Sequence, residues 1–144
     1  MADRPTAELI LRGSQAQPLQ PSRLFAGRRL IVVGGTGFLG KVWLSMILHR
    51  FPELGRIWLL VRPKGDQTPE ERFWSTIAPS EVFEPLRERY PGSAFEDFLR
   101  DKITPIAGDV VHPMLGFDDA LLDELEADAV VNVAGVVDFN PPLD

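Results

Sequence analysis

The chain has 144 residues, 44% of them hydrophobic and 25% charged, the size and composition of one soluble globular domain, for which no disordered or membrane class is needed. Its net charge of -6 argues against nucleic acid as a general partner, because such binding needs a basic face. With no cysteine there are no disulfides, no thiolate nucleophile and no zinc–cysteine site; with no transmembrane segment and no basic-then-apolar leader, the expected location is cytoplasmic.

Residues 1–24 are rich in Pro, Gln, Ser and Arg around one apolar group, Leu9, Ile10 and Leu11. They read as a leader or linker, poorly ordered or holding a short helix. The folded domain is expected from residue 25 to residue 144.

Residues 30–41 read L-I-V-V-G-G-T-G-F-L-G-K. Four apolar residues, three of them β-branched, predict a fully buried strand, and the glycines after them a tight turn into a helix starting near Gly37. Each glycine has its own task in a phosphate-binding turn. Gly34 lets the chain leave the strand, Gly37 lets the backbone approach a pyrophosphate, and Gly40 lets the helix pack on the strand. Amide N–H groups around Thr36, Phe38 and Leu39 then point at the anion, reinforced by the helix dipole. The run from Gly35 to Lys41 also nearly matches a P-loop, but Val42 stands where that motif needs a magnesium-binding hydroxyl. The even spacing of Gly34, Gly37 and Gly40 favours a dinucleotide, with a ligand-free structural turn as the other reading.

The helix continues through Phe38, Leu39, Val42, Trp43, Met46, Ile47 and Leu48 to about His49, with Trp43 and Met46 expected in the core. Residues 55–62, G-R-I-W-L-L-V-R, predict the second buried strand. In the dinucleotide fold an acid at this strand end bonds ribose hydroxyls, whereas an arginine accommodates a 2′-phosphate. The chain has Arg62, followed by Pro63 and Lys64, so the sign of the charge favours NADP(H) over a merely solvated strand end.

A helical insertion is expected over residues 66–101, longer than an ordinary crossover. It opens with Thr68 as a cap and Pro69 at the first helical position, and shows Phe73, Trp74 and Ile77 as an apolar face. A second helix runs to Arg89 and a third covers residues 93–101. Residues 102–107 predict the third strand, with Pro105 suggesting a sheet edge. Asp109 follows the strand's carboxyl end, placed either to accept from an adenine amine or to cap a turn. His112 reads as a loop residue and His49 as structural, since neither has a histidine or carboxylate cluster beside it. Asp118 is expected to cap a helix through Glu126, before a fourth strand at residues 129–133. The small residues Ala134 and Gly135 at its end permit close approach of a cofactor or form a simple turn.

Four blocks in order, G-G-T-G-F-L-G-K, L-L-V-R-P-K-G with T-P-E-E-R-F, I-T-P-I-A-G-D-V and V-N-V-A-G-V-V-D-F-N-P-P-L, resemble the cofactor half of the fatty acyl-CoA reductase branch of the extended short-chain dehydrogenase/reductases. The resemblance implies a doubly wound parallel α/β sheet of Rossmann type, with strand order 3-2-1-4 and incomplete at its C-terminus. It implies NADPH as cofactor, its phosphates over residues 34–40, including Gly35. Arg62 and Lys64 would meet the 2′-phosphate, Asp109 and Val110 would flank the adenine, and Ala134 and Gly135 would lie near the cofactor. Val33 departs from the threonine that many relatives carry there. The implied partner of the complete enzyme is fatty acyl-CoA, reduced to an aldehyde or alcohol. Its Tyr-x-x-x-Lys catalytic pair is not found: the one tyrosine is Tyr90, with Ala94 four positions on, so the expected catalytic set within the chain is none. A reductase of carrier-protein-bound thioesters and a non-catalytic dinucleotide-binding module are the alternatives. An unpaired fourth strand is expected to favour self-association.

Overall fold

In the computed structural model, which describes residues 18–135, four strands run parallel in one sheet. They are β1 (Arg29–Val33), β2 (Arg56–Val61), β3 (Ile103–Ala107) and β4 (Ala129–Asn132), in the order β3-β2-β1-β4 expected from the sequence. The chain steps outward from β1 to β2 to β3, then returns past β1 to β4. That reversal opens a crevice at the carboxyl ends of β1 and β4, where ligands bind in such sheets.

The two central strands, β1 and β2, are buried on both faces because helices cover both, which is why they read as continuous apolar runs rather than alternating ones. Leu30, Val32, Ile57, Leu59 and Val61 point to one face and meet Leu44, Ile47 and Leu48 of α2 (Phe38–Arg50), together with Phe73, Phe83, Leu86 and Leu99 of the insertion. Ile31, Val33 and Leu60 point to the other and meet Phe117 and Leu125. There α6 (Asp119–Leu125) is capped by Asp118, whose carboxylate accepts from the Leu121 amide at 2.8 Å. Trp58 ties this helix to β2 by donating its indole N–H to the Leu125 carbonyl at 3.0 Å.

The insertion begins with α3 (Pro69–Arg72), set by a reciprocal cap: the Thr68 hydroxyl accepts from the Glu71 amide, and the Glu71 carboxylate from the Thr68 amide. The helix then widens into a π turn, Phe73–Ile77, marked by the Ala78 amide donating to the Phe73 carbonyl at 2.9 Å. Phe73 and Ile77 are fully buried, and Trp74 lies under the Arg100 guanidinium at 4.3 Å. A 3₁₀ turn, Glu81–Phe83, leads into α4 (Glu84–Arg89), and α5 (Ser93–Lys102) returns the chain to β3. Among the described residues β3 pairs only with β2, so Pro105 sits on an edge strand.

One expectation needs correcting. Met46 is not core: it is 52% exposed, whereas Trp43 is half-buried and packs against the core. The residues of α2 that reach the sheet are Gly40, Leu44, Ser45, Ile47 and Leu48. Because the helix carries apolar residues nearly all round, its periodicity cannot say which side faces inward. A short helix, α1 (Pro21–Phe25), precedes the sheet, and Phe25 packs on Phe51 with ring centroids 4.9 Å apart. The rest of the expected leader, residues 1–17, and the last block of the resemblance from residue 136 lie outside the described residues.

Candidate functional site at the carboxyl ends of the strands

The glycines of the turn differ in their surroundings, and the expected steric tasks of Gly34 and Gly40 show in the geometry. Gly34 has φ +84°, a conformation other residues resist, and a Cβ there would lie 2.3 Å from the Ala134 nitrogen where the end of β4 comes across. A Cβ on Gly40 would lie 2.2 Å from the Gly34 carbonyl oxygen and 2.5 Å from the Gly35 Cα, so α2 could not pack so closely on the turn. Gly35 is buried, with the Leu59 side chain where its Cβ would be. Gly37 differs from these three: it is exposed, and a Cβ there would meet only the Gly34 carbonyl oxygen, at 3.6 Å. Packing gives no reason for a glycine at this position, although glycine is among the residues favoured at a helix N-cap.

Gly37 is the N-cap of α2 and supplies no side-chain cap. Phe38 and Leu39 therefore open the helix with amide N–H groups that have no intrahelical acceptor. The positive end of the helix dipole lies at the same place. Both side chains are exposed, at 75% and 65%.

Beside this turn is a cleft of about 210 Å³. Of the expected residues, Gly34, Thr36, Arg62, Asp109, Val110 and Ala134 line it. Arg62, just past β2, and Asp109, just past β3, face each other across 47 positions of sequence. The Arg62 Nη2 donates to Asp109 Oδ1 at 3.0 Å, and Nε lies 2.9 Å from Oδ2, a two-pronged pair. Asp109 Oδ1 also accepts from the Val111 amide at 3.2 Å. That amide hydrogen bond holds the Asp109 carboxyl below the usual aspartate range; burial opposes it, while Arg62 and His112 add to it. Lys64 lies apart from the cleft, exposed in a tight turn bridged to Gln67, and Gly135 is likewise exposed outside it.

Arg72 lines the same cleft and was missed by the sequence reading. It closes α3, and its Nη1 donates to the Arg62 carbonyl, so two guanidinium groups stand at one rim. The available signal was the Thr68-to-Glu71 cap, which fixes the register of the first turn after β2 and thereby the direction of Arg72. Tyr90 instead stacks on Phe98 at 4.2 Å within the insertion.

An adjoining cleft of about 470 Å³ shares Arg62, Gly108 and Asp109 and adds Pro63, His112 and Leu115. Its outer wall is a loop with three successive residues in the left-handed region: Met114 (φ 51°), Leu115 (φ 62°) and Gly116 (φ 80°). For the two that are not glycine this costs on the order of 1–3 kcal/mol each. The loop is held by the Leu115 carbonyl, which accepts from the Asp109 amide at 3.1 Å, and by the buried Phe117 behind it.

Comparisons with known proteins agree with this geometry. The NAD-binding family described as Male sterility protein matches residues 32–144. "Fatty acyl-CoA reductase 1" of Gallus gallus is 33% identical over 121 residues, covering 83% of this chain and 22% of that protein. "Fatty acyl-CoA reductase 2, chloroplastic" of Arabidopsis thaliana is 28% identical over 120 residues, covering 82% of this chain and 19% of that protein. The chain thus spans about a fifth of the length of these curated relatives. Among solved structures, the terminal R domain from the myxalamid PKS-NRPS biosynthetic pathway superposes with a TM-score of 0.54 at 31% identity, over 79% of this chain and 26% of that one. With a family match over most of its length and the parallel sheet that such a domain requires, the chain belongs to the Male sterility protein family of NAD-binding domains.

Proposed function

We propose that the chain is the N-terminal cofactor-binding part of an NADPH-dependent reductase of fatty acyl-CoA thioesters. The observation that carries the reading is one cleft lined by Gly34 and Thr36 of the glycine turn together with Arg62 and Arg72, next to the bare Gly37 backbone and the open amides that begin α2. The pyrophosphate lies over residues 34–40, held by the amides of Thr36, Phe38 and Leu39 and by the helix dipole. The 2′-phosphate lies at Arg62 and Arg72, with Lys64 contributing from the solvent side. Arg62 spends two of its five N–H donors on Asp109, which fixes the plane of the guanidinium and leaves the others for an anion. Asp109 and Val110 flank the adenine, and Ala134 and Gly135 lie beside the nearer part of the cofactor.

Bound NADPH supplies hydride to the thioester carbonyl. This chain's residues bind and orient the cofactor, and proton donation falls to a Tyr-x-x-x-Lys pair outside these 144 residues, so the chain alone is inactive. A reductase of carrier-protein-bound thioesters is the second reading, favoured by the 31% identity to the terminal R domain.

Calorimetric titration with NADPH and with NADH, repeated on Arg62→Asp, tests the cofactor. The expected result is tighter binding of NADPH that the substitution abolishes. Equal affinity for the two nucleotides, unchanged in the variant, would contradict the 2′-phosphate role.

A further inference from the structure

We infer that His112 is a specificity-determining residue that walls the slot taken by the adenine ring, stacking its imidazole on the base. The inference rests on the cofactor reading above and deepens it. His112 lines the larger cleft, on the opposite strand-end loop from Arg62 and Pro63. A planar guanidinium, a proline ring and an imidazole therefore border one opening, surfaces suited to a flat aromatic ligand. The Asp109 carboxylate sits in the wall shared by both clefts, so a base in the larger one would be joined to phosphates in the smaller one without leaving the protein.

The loop is built to hold this position. The His112 amide donates to the Asp109 carbonyl at 3.2 Å, and the His112 carbonyl accepts from the Leu115 amide at 3.1 Å, so its backbone is fixed on both sides. A Cβ on Gly116 would come within 3.8 Å of the His112 Cβ and 4.0 Å of its Cδ2, which places the imidazole over that glycine. Left-handed backbone at two non-glycine residues just behind His112 is the kind of strain that persists where a ligand clamp needs it. His112 is itself exposed, so the fold makes no demand on its side chain.

Titrations of the wild type, His112→Ala and His112→Phe with NADPH and with adenosine 2′,5′-bisphosphate test this, thermal melting serving to confirm that each variant is folded. Alanine should weaken both ligands about tenfold, the order of one base stacked on an aromatic side chain, and phenylalanine should restore affinity to within about twofold. If the wild type binds and alanine changes nothing, or if phenylalanine is as weak as alanine, the stacking role is wrong while the cofactor reading stands. If a folded wild type binds neither ligand, both fall.

Discussion

Three glycines in one turn have three separable physical reasons, and they respond differently to the same added methyl group. Gly40→Ala drives a Cβ into backbone at 2.2 Å and should destabilise the fold by roughly 1–3 kcal/mol or more, seen as a lower denaturation midpoint. Gly37→Ala, whose Cβ would make only an ordinary contact at 3.6 Å, should lose no more than about 1 kcal/mol, from the poorer N-cap, and stay folded. The steric tasks of Gly34 and Gly40 were legible in the sequence because the spacing of a turn between strand and helix fixes what those positions must do. The Arg62–Asp109 pair was not, because its partners are brought together only when β2 and β3 lie side by side. The sequence reading named both residues but gave them separate partners. Charge at this scale also sets the acid response. Glu71 is held below its usual range by its bond to the Thr68 amide, Asp109 by the Val111 amide and Asp128 by the Arg29 amide. A carboxyl depressed in the folded state contributes stability that is complete above its unfolded pKa, about 4, and is lost as pH falls through the lower folded value. The melting temperature should therefore decline below about pH 4, and less steeply for Asp109→Asn; an equal decline would contradict the assignment to this carboxylate.

Among the elements, those with strong local signals came out as the sequence suggested. Thr68 and Asp118 cap their helices by side-chain oxygen, and Pro105 marks β3 as an edge. The face of α2 was not legible, since Met46 and Leu48 are equally apolar and only the sheet beneath decides which is buried. The widening at Phe73–Ile77 likewise has no local signal; within it Phe73 and Ile77 are buried in the core and Trp74 meets Arg100. On the other side of the sheet, β4 pairs with β1 alone among the described residues, and Val130 is 60% exposed. An apolar strand with an unpaired row of N–H and C=O groups is a template for another chain. Sedimentation of the isolated chain should therefore show concentration-dependent association that Val130→Lys reduces. A wild type that stays monomeric at high concentration would contradict this.

At the scale of the whole molecule, strand order was readable through the resemblance of the four ordered blocks, and the observed order is compatible with the right-handed crossovers that a parallel sheet favours. The cleft itself was only partly readable, since it is formed by four strand ends and by Arg72, which reaches it from the insertion. The doubly wound sheet brings the glycine turn, the cationic rim and the Asp109 loop to one end, and this juxtaposition is what the proposed cofactor role depends on. Comparing NADPH binding to the wild type and to Gly37→Ala, with both shown to be folded at the temperature of the titration, tests that role most directly. The account predicts binding by the wild type and its loss in the variant, because the added methyl group occupies the path of the pyrophosphate and nothing else. Equal binding by the two proteins would show that the dinucleotide does not lie on this turn.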